Sequence, residues 1–359
     1  MSSQLKKAGV LGATGSVGQR FMQLLADHPD FDLAVLGASS RSAGKKYVDA
    51  AEWKQASLLP TKVADMIVKE CTPENFKECD VVFSGLDADY AGDIEKAFVD
   101  AGLVIISNAK NYRRAENVPL VVPTCNPEHL DICANLKKQG KGFQICISNC
   151  STAGMVVPLK ALQEKFGPIT TMIVTTMQAV SGAGFSPGIS SMDILDNLIP
   201  YISGEEDKLE WEPRKILANI ASDGVSFDII PEEDFKISAA CNRVAVIDGH
   251  TECLSIKFKQ SPPPSVEEVK AALREFRSPV QDLGCHSAPK NIIHVFEQPN
   301  RPQPRLDRDR DAGYACSVGR VREDPVLDIK FVVLSHNTIL GAAGSGILIA
   351  EVLKAKELI

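Results

Sequence analysis

The chain has 359 residues, of which 44% are apolar and 24% charged, and its formal net charge is −7. This length exceeds what a single layered core usually holds, so we expect two domains. An acidic chain lacks the basic surface that holds a phosphate backbone, so nucleic acid is excluded as an expected partner.

The same composition bears on compartment and metal binding. No apolar run approaches the ~18 residues of a membrane span, and residues 1–7 lack the apolar core of a secretory signal. The ten cysteines are scattered, and they do not form a zinc-like pattern with one another or with histidines. We therefore predict a cytoplasmic protein with reduced thiols, no membrane partner and no metal.

The first part of the chain alternates short apolar runs with helical segments. Residues 7–12 and 31–37 read as strands on either side of a helix at 16–26. Similar strand-like runs and helical stretches follow at 81–84, 104–107, 120–122 and 144–148, and at 89–101 and 127–139. This alternation predicts an α/β, Rossmann-type domain with a parallel sheet over residues 1–150. We expect a C-terminal helix within 338–359 to complete it.

The predicted strands after residue 150 are longer and richer in β-branched residues. They lie at 170–177, 242–247, 250–258 and 328–334. We therefore predict an α+β domain with a mostly antiparallel sheet over residues 151–337. Asp248-Gly249 separates two of these strands and is a hairpin signal. A two-residue turn there would place Arg243 and His250 on the same face of the sheet.

A glycine-rich turn lies between the first strand and the first helix. Such a turn lets the backbone approach a pyrophosphate, while the helix N-terminus offers unpaired N–H groups. The turn consists of Gly12, Ala13, Thr14, Gly15, Ser16, Val17 and Gly18. The second strand is followed by Ser39, Ser40 and Arg41 in place of the acidic residue typical of an NAD site. This favours a 2′-phosphate, and hence NADP as the cofactor.

Cys150 is the candidate nucleophile. It lies between a predicted strand and a predicted helix at 153–166. A thiol at a helix N-terminus is stabilised as the thiolate, so we expect its pKa to be below the usual ~8.5. The neighbouring Asn149, Ser151 and Thr152 can supply polar contacts and capping. We interpret the other nine cysteines as small apolar residues.

Four motifs together resemble those of the aspartate-semialdehyde dehydrogenase family. They are the glycine turn at 12–18, Ser-Asn-Cys-Ser-Thr at 148–152, Gln-Ala-Val-Ser-Gly-Ala-Gly at 178–184 and Arg-Val-Ala-Val-Ile-Asp-Gly-His at 243–250. The short spacings and the segment 108–123 resemble the archaeal and fungal branch. The resemblance covers nearly the whole chain and implies that the second domain is catalytic and dimerising.

The resemblance also implies roles for individual residues. Cys150 would be the acylated nucleophile, His250 the acid/base residue and Gln178 the residue that orients the substrate. The implied substrate and phosphate contacts are Arg243 for the α-carboxylate, Glu212 for the ammonium, Lys215 and Arg113 for phosphate, and Asn126 nearby. Ser181, Gly182 and Asn337 would line the nicotinamide. Pro213, inside the Glu212-to-Lys215 spacing, departs from the pattern.

The implied reaction is NADP-dependent reductive dephosphorylation of L-aspartyl 4-phosphate to L-aspartate 4-semialdehyde through a thioester. This step belongs to lysine, methionine, threonine and isoleucine biosynthesis, with a small-molecule substrate, phosphate and a homodimer or homotetramer as partners. Two alternatives stay open. One is a related reductase acting on N-acetylglutamyl phosphate or malonyl-CoA, and the other is a catalytically inactive NADP-binding sensor.

Overall fold

The structure is a computed structural model that describes residues 5–138, 140, 142–185 and 188–359. The first sheet contains β1 (Lys6–Leu11), β2 (Phe31–Ala38), β3 (Val68–Glu70), β4 (Val81–Ser84), β5 (Val104–Ser107), β6 (Leu120–Val121) and β7 (Phe143–Ile147). Its strand order is β3-β2-β1-β4-β5-β7-β6, and the pairings are parallel. The predicted α/β domain with a parallel sheet is confirmed.

Helices cover this sheet and connect its strands. They are α1 (Ser16–Leu25), α2 (Tyr47–Ala50), α3 (Thr61–Asp65), α4 (Pro73–Phe76), α5 (Ala88–Asp100) and α6 (Ile132–Lys138). The predicted helix at 127–139 begins as a 3-10 turn at Pro127–Asp131 and continues as α6. Its last position, Gln139, lies outside the described residues.

The second sheet has six strands and is mixed. They are β8 (Ile169–Gln178), β11 (Lys236–Arg243), β12 (His250–Phe258), β13 (Ile293–Phe296), β14 (Cys316–Glu323) and β15 (Ile329–Ser335), while β9 (Asn219–Ile220) and β10 (Phe227–Asp228) form a separate pair. The order is β11-β8-β12-β15-β14-β13. Three of its five pairings are antiparallel, as the mostly antiparallel prediction requires.

The predicted hairpin at Asp248-Gly249 is wrong. Strand β11 ends at Arg243, so the predicted strand at 242–247 is largely a loop. Strand β8 lies between β11 and β12, and β11 pairs with it in parallel. The Asp-Gly pair therefore ends a connection between two strands that are not neighbours. The prediction failed because the residues of a turn do not determine which strands pair.

Further helices are α7 (Cys150–Phe166), α8 (Ser191–Ile194), α9 (Glu205–Ile216), α10 (Val266–Glu275), α11 (Pro304–Asp307) and α12 (Ala343–Ala355), with 3-10 turns at Val180–Ala183, Pro279–Gln281 and Arg310–Gly313. Helix α7 packs on one face of the second sheet and contains Pro158. A proline has no N–H for the carbonyl four residues earlier. That carbonyl, of Gly154, accepts a hydrogen bond from the Cys316 thiol at 3.4 Å.

The C-terminal helix α12 packs against α1 on the first sheet. A Cβ at Gly346 would lie only 2.7 Å from a ring carbon of Phe21, so the two helices meet at a glycine. His28 and Glu351, both buried, are joined at 2.9 Å at the far end of the contact. The strands of the first sheet precede residue 150 in the chain, and those of the second sheet follow it. The division of the chain into two domains at residue 150 stays a prediction.

Candidate active site

A cleft of about 530 Å³ lies between the two sheets. Its walls come from the first turn of α1, the loops after β4 and β5, the start of α7, the end of β8 and the start of α9. In the first sheet, β1 has β2 on one side and β4 on the other. Ligands of open parallel sheets bind at such a switch point, outside the carboxyl ends of the strands. The cleft begins there and extends to Cys150.

Cys150 is the first residue of α7 and is preceded by a capping asparagine. The Asn149 side chain accepts hydrogen bonds from the backbone N–H groups of Ser151 at 3.0 Å and Thr152 at 3.2 Å. The cap fixes the first turn of the helix. Close packing holds it from the other side, since a Cβ at Gly341 would lie 2.8 Å from the Cβ of Cys150.

His250 faces the Cys150 sulfur from the start of β12. Its Nε2 lies 3.1 Å from Cys150 Sγ, and its Nδ1 accepts a hydrogen bond of 3.0 Å from the Ala179 N–H. A neutral imidazole carries one proton, and that proton must therefore be on Nε2. Burial lowers the pKa of His250 to about 3, so the ring is neutral. It thus presents an N–H donor to the sulfur.

The pKa of Cys150 differs from the expectation of a lowered value. Burial raises the pKa of the thiol to about 12, and the Glu205 carboxylate adds to the rise. The groups that oppose it are Arg243, Lys208 and Arg113. The predicted helix N-terminus is present, but the sequence did not show that the cysteine is enclosed. Removing a thiolate from water is unfavourable, and here this cost exceeds the effect of the nearby cations.

Glu205 accepts hydrogen bonds from three side chains of the cleft and was not predicted from the sequence as a site residue. Its Oε1 accepts hydrogen bonds from Asn149 Nδ2 at 2.7 Å and Gln178 Nε2 at 3.0 Å, and its Oε2 accepts one from Lys208 Nζ at 2.7 Å. Burial by itself would raise the pKa of this carboxyl, but Lys208 and these donors bring it below its usual range. The cleft therefore contains a fixed anion.

Gln178 and Arg243 lie side by side at the ends of β8 and β11, where they are register partners. Arg243 Nη1 donates to the Ala179 carbonyl at 2.7 Å, and Gln178 Oε1 accepts from Thr176 Oγ1 at 3.0 Å. Because β8 separates the two strands, Arg243 and His250 approach the cleft from opposite sides of Gln178. A Cβ at Gly182 would lie 3.0 Å from Arg243 Nη1, so only glycine leaves this wall open.

Three predicted contacts do not lie in the cleft. The carboxylate of Glu212 accepts from Arg113 Nη1 and from the Asn149 N–H, each at 2.7 Å. The ammonium of Lys215 is fully buried and donates to three backbone carbonyls. Asn126 is also buried, and its amide binds the Leu120 carbonyl and the Val122 N–H. Their proposed contacts with ammonium and phosphate do not fit these positions, whereas Arg113 lines the cleft.

The sequence did contain a signal for the missed residues. Helix α9 has the same Glu-x-x-Lys spacing twice, at Glu205-to-Lys208 and at Glu212-to-Lys215. The predicted contacts with ammonium and phosphate were those of the second copy. The structure places the first copy, at the N-terminal end of α9, in the cleft.

The nucleotide half of the cleft is built from the glycine turn. Gly12 has a φ of +69°, and a Cβ at Gly18 would lie 2.2 Å from the Gly12 carbonyl oxygen. Helix α1 begins after Gly15 without a side-chain cap, so its first N–H groups are available to an anion. Ser16 and Val17 line the cleft. This cradle fits the pyrophosphate of a dinucleotide.

Two further sets of predicted cofactor contacts are Ser39 to Arg41 and Asn337. Ser39, Ser40 and Arg41 are exposed at the carboxyl end of β2. Asn337 bridges the cleft wall, since its Nδ2 donates to Ser181 Oγ and its Oδ1 accepts from the Gly249 N–H, both at 2.8 Å. It thereby connects the turn at Ser181 to the residue before His250.

Within the described ranges, there is no group of three His, Cys, Asp or Glu side chains that could hold a metal ion. The helices of the described part of the chain are all too short or too polar to cross a membrane.

Two family models match the chain. The semialdehyde dehydrogenase NAD binding domain matches residues 7–132, and the semialdehyde dehydrogenase dimerisation domain matches residues 159–340. The first match contains the glycine cradle, and the second contains Gln178, Arg243 and His250. The fold and the site together define a two-domain semialdehyde dehydrogenase.

Individual proteins similar to this chain identify its family within the semialdehyde dehydrogenases. Aspartate-semialdehyde dehydrogenase of Candida albicans is 68% identical over 99% of this chain and 100% of that protein. The Saccharomyces cerevisiae protein of that name is 67% identical over 99% of each. A crystal structure of the C. albicans enzyme with NADP matches with a TM-score of 0.95 and 66% identity, over 99% of this chain and 100% of that one. The chain belongs to the aspartate-semialdehyde dehydrogenase family and is an oxidoreductase, and the predicted fungal resemblance is confirmed.

Proposed function

We propose that the protein catalyses the NADP-dependent reductive dephosphorylation of L-aspartyl 4-phosphate to L-aspartate 4-semialdehyde, through a thioester on Cys150. The reaction serves lysine, methionine, threonine and isoleucine biosynthesis in the cytoplasm. One observation carries the proposal: Cys150 Sγ lies 3.1 Å from His250 Nε2 in a cleft shared with a dinucleotide cradle. A cysteine sulfur within hydrogen-bond reach of an imidazole is an arrangement that nucleophilic catalysis at a carbonyl uses.

NADP is the cofactor that the residues favour. The cradle of Gly12, Gly15 and Gly18 holds the pyrophosphate at the N-terminus of α1. Ser39, Ser40 and Arg41 offer two hydroxyls and a guanidinium to the 2′-phosphate. The C. albicans relative was crystallised with NADP, which supports this choice. When bound, NADPH would supply a hydride to the carbonyl carbon of the thioester on Cys150.

The substrate is held by its α-amino and α-carboxylate groups. Arg243 uses one N–H on the Ala179 carbonyl, and its remaining N–H groups form a planar fork for a carboxylate. Glu205 is the cleft anion, and we assign it to the substrate ammonium in place of Glu212. Since both side chains adjoin Gln178, the substrate carbonyl lies between Gln178 and Cys150.

The phosphate is met by two cations. Arg113 and Lys208 both line the cleft, and we assign them to phosphate, with Lys208 replacing Lys215. A guanidinium and an ammonium together balance most of the charge on a departing phosphate dianion. Lys208 also contacts Glu205 at 2.7 Å, so the phosphate and ammonium sites are adjacent, as a small substrate requires.

The chain's own residues then account for the acylation step. The sulfur of Cys150 attacks the carbonyl carbon, the C–S bond forms, and the bond to the phosphate oxygen breaks. The thiol proton goes to the departing phosphate, which leaves as hydrogen phosphate. His250 donates its Nε2–H to the sulfur before attack and to the carbonyl oxyanion afterwards. Gln178 is fixed at both ends, by Thr176 and Glu205, and confines the acyl group.

The test follows NADPH formation from L-aspartate 4-semialdehyde, NADP⁺ and phosphate. The unaltered protein should require phosphate, and coenzyme A should not replace it. Cys150→Ala should lose more than about 10³-fold in kcat while binding NADPH normally. Cys285→Ala, which removes a partly exposed thiol outside the cleft, is the matched control and should keep full activity. Turnover by Cys150→Ala, or a requirement for coenzyme A, would contradict the proposal.

A further inference from the structure

The loop at 108–118, between β5 and β6, carries Arg113, and we call it the phosphate loop. It contains only turns and irregular backbone. Such a segment has no strand or helix ladder to fix its conformation, so its position depends on side chains from elsewhere. The side chains that hold it come from α9.

Lys215 binds this loop with its whole ammonium group. Its Nζ donates to the carbonyl oxygens of Arg113 at 2.9 Å, Ala115 at 2.6 Å and Val118 at 2.8 Å. An ammonium has three N–H donors, so all of them are used. The residue is fully buried, and these donations offset the cost of taking a charge from water. Burial nevertheless lowers the pKa of Lys215 to about 8.

Glu212 lies one turn before Lys215 on the same face of α9, and it holds the Arg113 side chain of the phosphate loop. Its Oε1 accepts from Arg113 Nη1, and its Oε2 accepts from the Asn149 N–H, both at 2.7 Å. Arg113 Nη2 donates to the Asn108 carbonyl at 2.8 Å. The guanidinium is therefore fixed at two nitrogens and connected to the residue that precedes Cys150.

We propose that Lys215 is a positioning residue that holds the phosphate loop against α9, so that Arg113, oriented by Glu212, meets the departing phosphate beside Cys150. This inference rests on the proposed function for the role of Arg113. It differs from direct phosphate binding, because the Lys215 donors are all bound to backbone. Lys208, which reaches the cleft from the same helix, is the direct ligand.

The first experiment measures the loop itself in the protein without substrate. Lys215→Met keeps the aliphatic stem and removes the three donors. Hydrogen exchange of the backbone amides at 108–118 should then accelerate at least tenfold, with exchange in β1 and β4 unchanged. Lys165→Met, on an exposed turn of α7, is the matched control and should change nothing. Unchanged exchange in the loop of Lys215→Met would overturn the proposal.

The second experiment separates positioning from direct binding with a double-mutant cycle. Lys215→Met should lower kcat/KM for phosphate at least tenfold, while the affinity for NADP⁺ and the alkylation rate of Cys150 stay within about twofold. In an Arg113→Ala background the same substitution should have less than a threefold effect. Equal effects in both backgrounds would show that Lys215 binds phosphate independently of Arg113.

If Lys215→Met does not fold, Lys215→Gln retains two N–H donors and enters the same exchange assay and cycle.

Two outcomes distinguish a failure of this inference from a failure of the proposed function. If the unaltered protein shows no phosphate dependence, the proposed function fails, and the exchange assay still decides whether Lys215 holds the loop. If phosphate dependence and the requirement for Cys150 hold but the cycle is additive, only the positioning role fails.

Discussion

At the scale of single residues, the cleft combines a partly buried thiol with a fixed carboxylate. Burial and Glu205 raise the pKa of Cys150, so the side chain is a thiol before substrate binds. A substrate ammonium that pairs with Glu205 would offset its negative charge. Substrate binding would then shift Cys150 towards the thiolate at the moment when it is needed, and it would leave the resting protein less exposed to oxidation.

This view predicts the alkylation behaviour of Cys150. Because its pKa is raised to about 12, the thiolate fraction of the protein without added substrate should grow about tenfold per pH unit from about pH 7 to pH 10. Iodoacetamide labelling of the peptide containing Cys150, followed by mass spectrometry, should show this rise without a plateau. A plateau below about pH 8 would contradict it.

Substituting Glu205 completes the same test. Glu205→Gln removes the anion that raises the pKa of Cys150, so alkylation should become several-fold faster at each pH. Its kcat/KM for the semialdehyde should nevertheless fall about 100-fold, since a charged contact with the substrate is lost. Asp207→Asn, which alters an exposed carboxylate on the same helix, is the control and should change neither rate.

At the scale of elements, α9 shows why a motif alone was ambiguous. Its two Glu-x-x-Lys copies are seven residues apart, which is nearly two helical turns, so both copies lie on the same side of the helix. Helical spacing therefore cannot tell them apart. The surroundings of each end of α9 decide: Glu205 and Lys208 at its N-terminal end line the cleft, while Glu212 and Lys215 meet the phosphate loop.

The attachment of α9 to its sheet is also specific. Glu206 and Glu210 accept hydrogen bonds from the N–H groups of Cys241 and Ala239 on the edge strand β11, at 3.1 Å and 3.0 Å. These contacts cover the open edge of the strand. They also fix the helix that carries Glu205 relative to the strand that carries Arg243.

The glycine turn gives a prediction about the first βα unit. A Cβ at Gly18 would meet the Gly12 carbonyl oxygen at 2.2 Å, whereas one at Gly15 would meet it at 3.4 Å. Gly18→Ala should therefore displace α1, lower the free energy of unfolding by about 1–3 kcal/mol and weaken NADPH binding. Gly15→Ala is the matched control and should cost less than about 1 kcal/mol. Equal urea midpoints for Gly18→Ala and the unaltered protein would contradict this reading of the turn.

At the scale of the whole molecule, the second sheet has one face buried against α7 and one face open. The open face presents Ile173 and Thr175 of β8 and Cys253 of β12, all exposed. Ile173 is 45% exposed although β8 has a neighbouring strand on each side. Because residues 159–340 match a dimerisation domain, we expect a second copy of the chain to cover this face in a homodimer or homotetramer.

Ile173→Asp tests this surface. Burying a carboxylate on each protomer would weaken the dimer about 100-fold or more. Sedimentation velocity across a concentration series should therefore shift towards monomer. Val326→Asp alters a more exposed residue, at 78%, in the turn between β14 and β15, and it should leave the assembly intact. An unchanged distribution for Ile173→Asp would place the interface elsewhere.

Strands β3, β13 and β14 were not predicted from the sequence. The predicted features include six of the seven strands of the first sheet, the nucleotide turn at 12–18 and the cysteine at the start of α7. Each of these depends on residues close together in the chain, whose periodicity, glycines and caps act locally. The four-motif resemblance also identified Gln178, Arg243 and His250, which the structure brings together around Cys150.

Three further features depend on tertiary contacts: which strands are neighbours, which Glu-x-x-Lys copy faces the cleft and how burial changes the pKa of Cys150. The Asp248-Gly249 turn could not show that β8 lies between β11 and β12, because strand pairing depends on contacts between distant segments. The enclosure of Cys150 and the three carbonyls around Lys215 likewise come from segments far apart in the chain. Desolvation and hydrogen-bond satisfaction depend on all the groups that surround a charge, and a sequence read locally shows only those on the same segment.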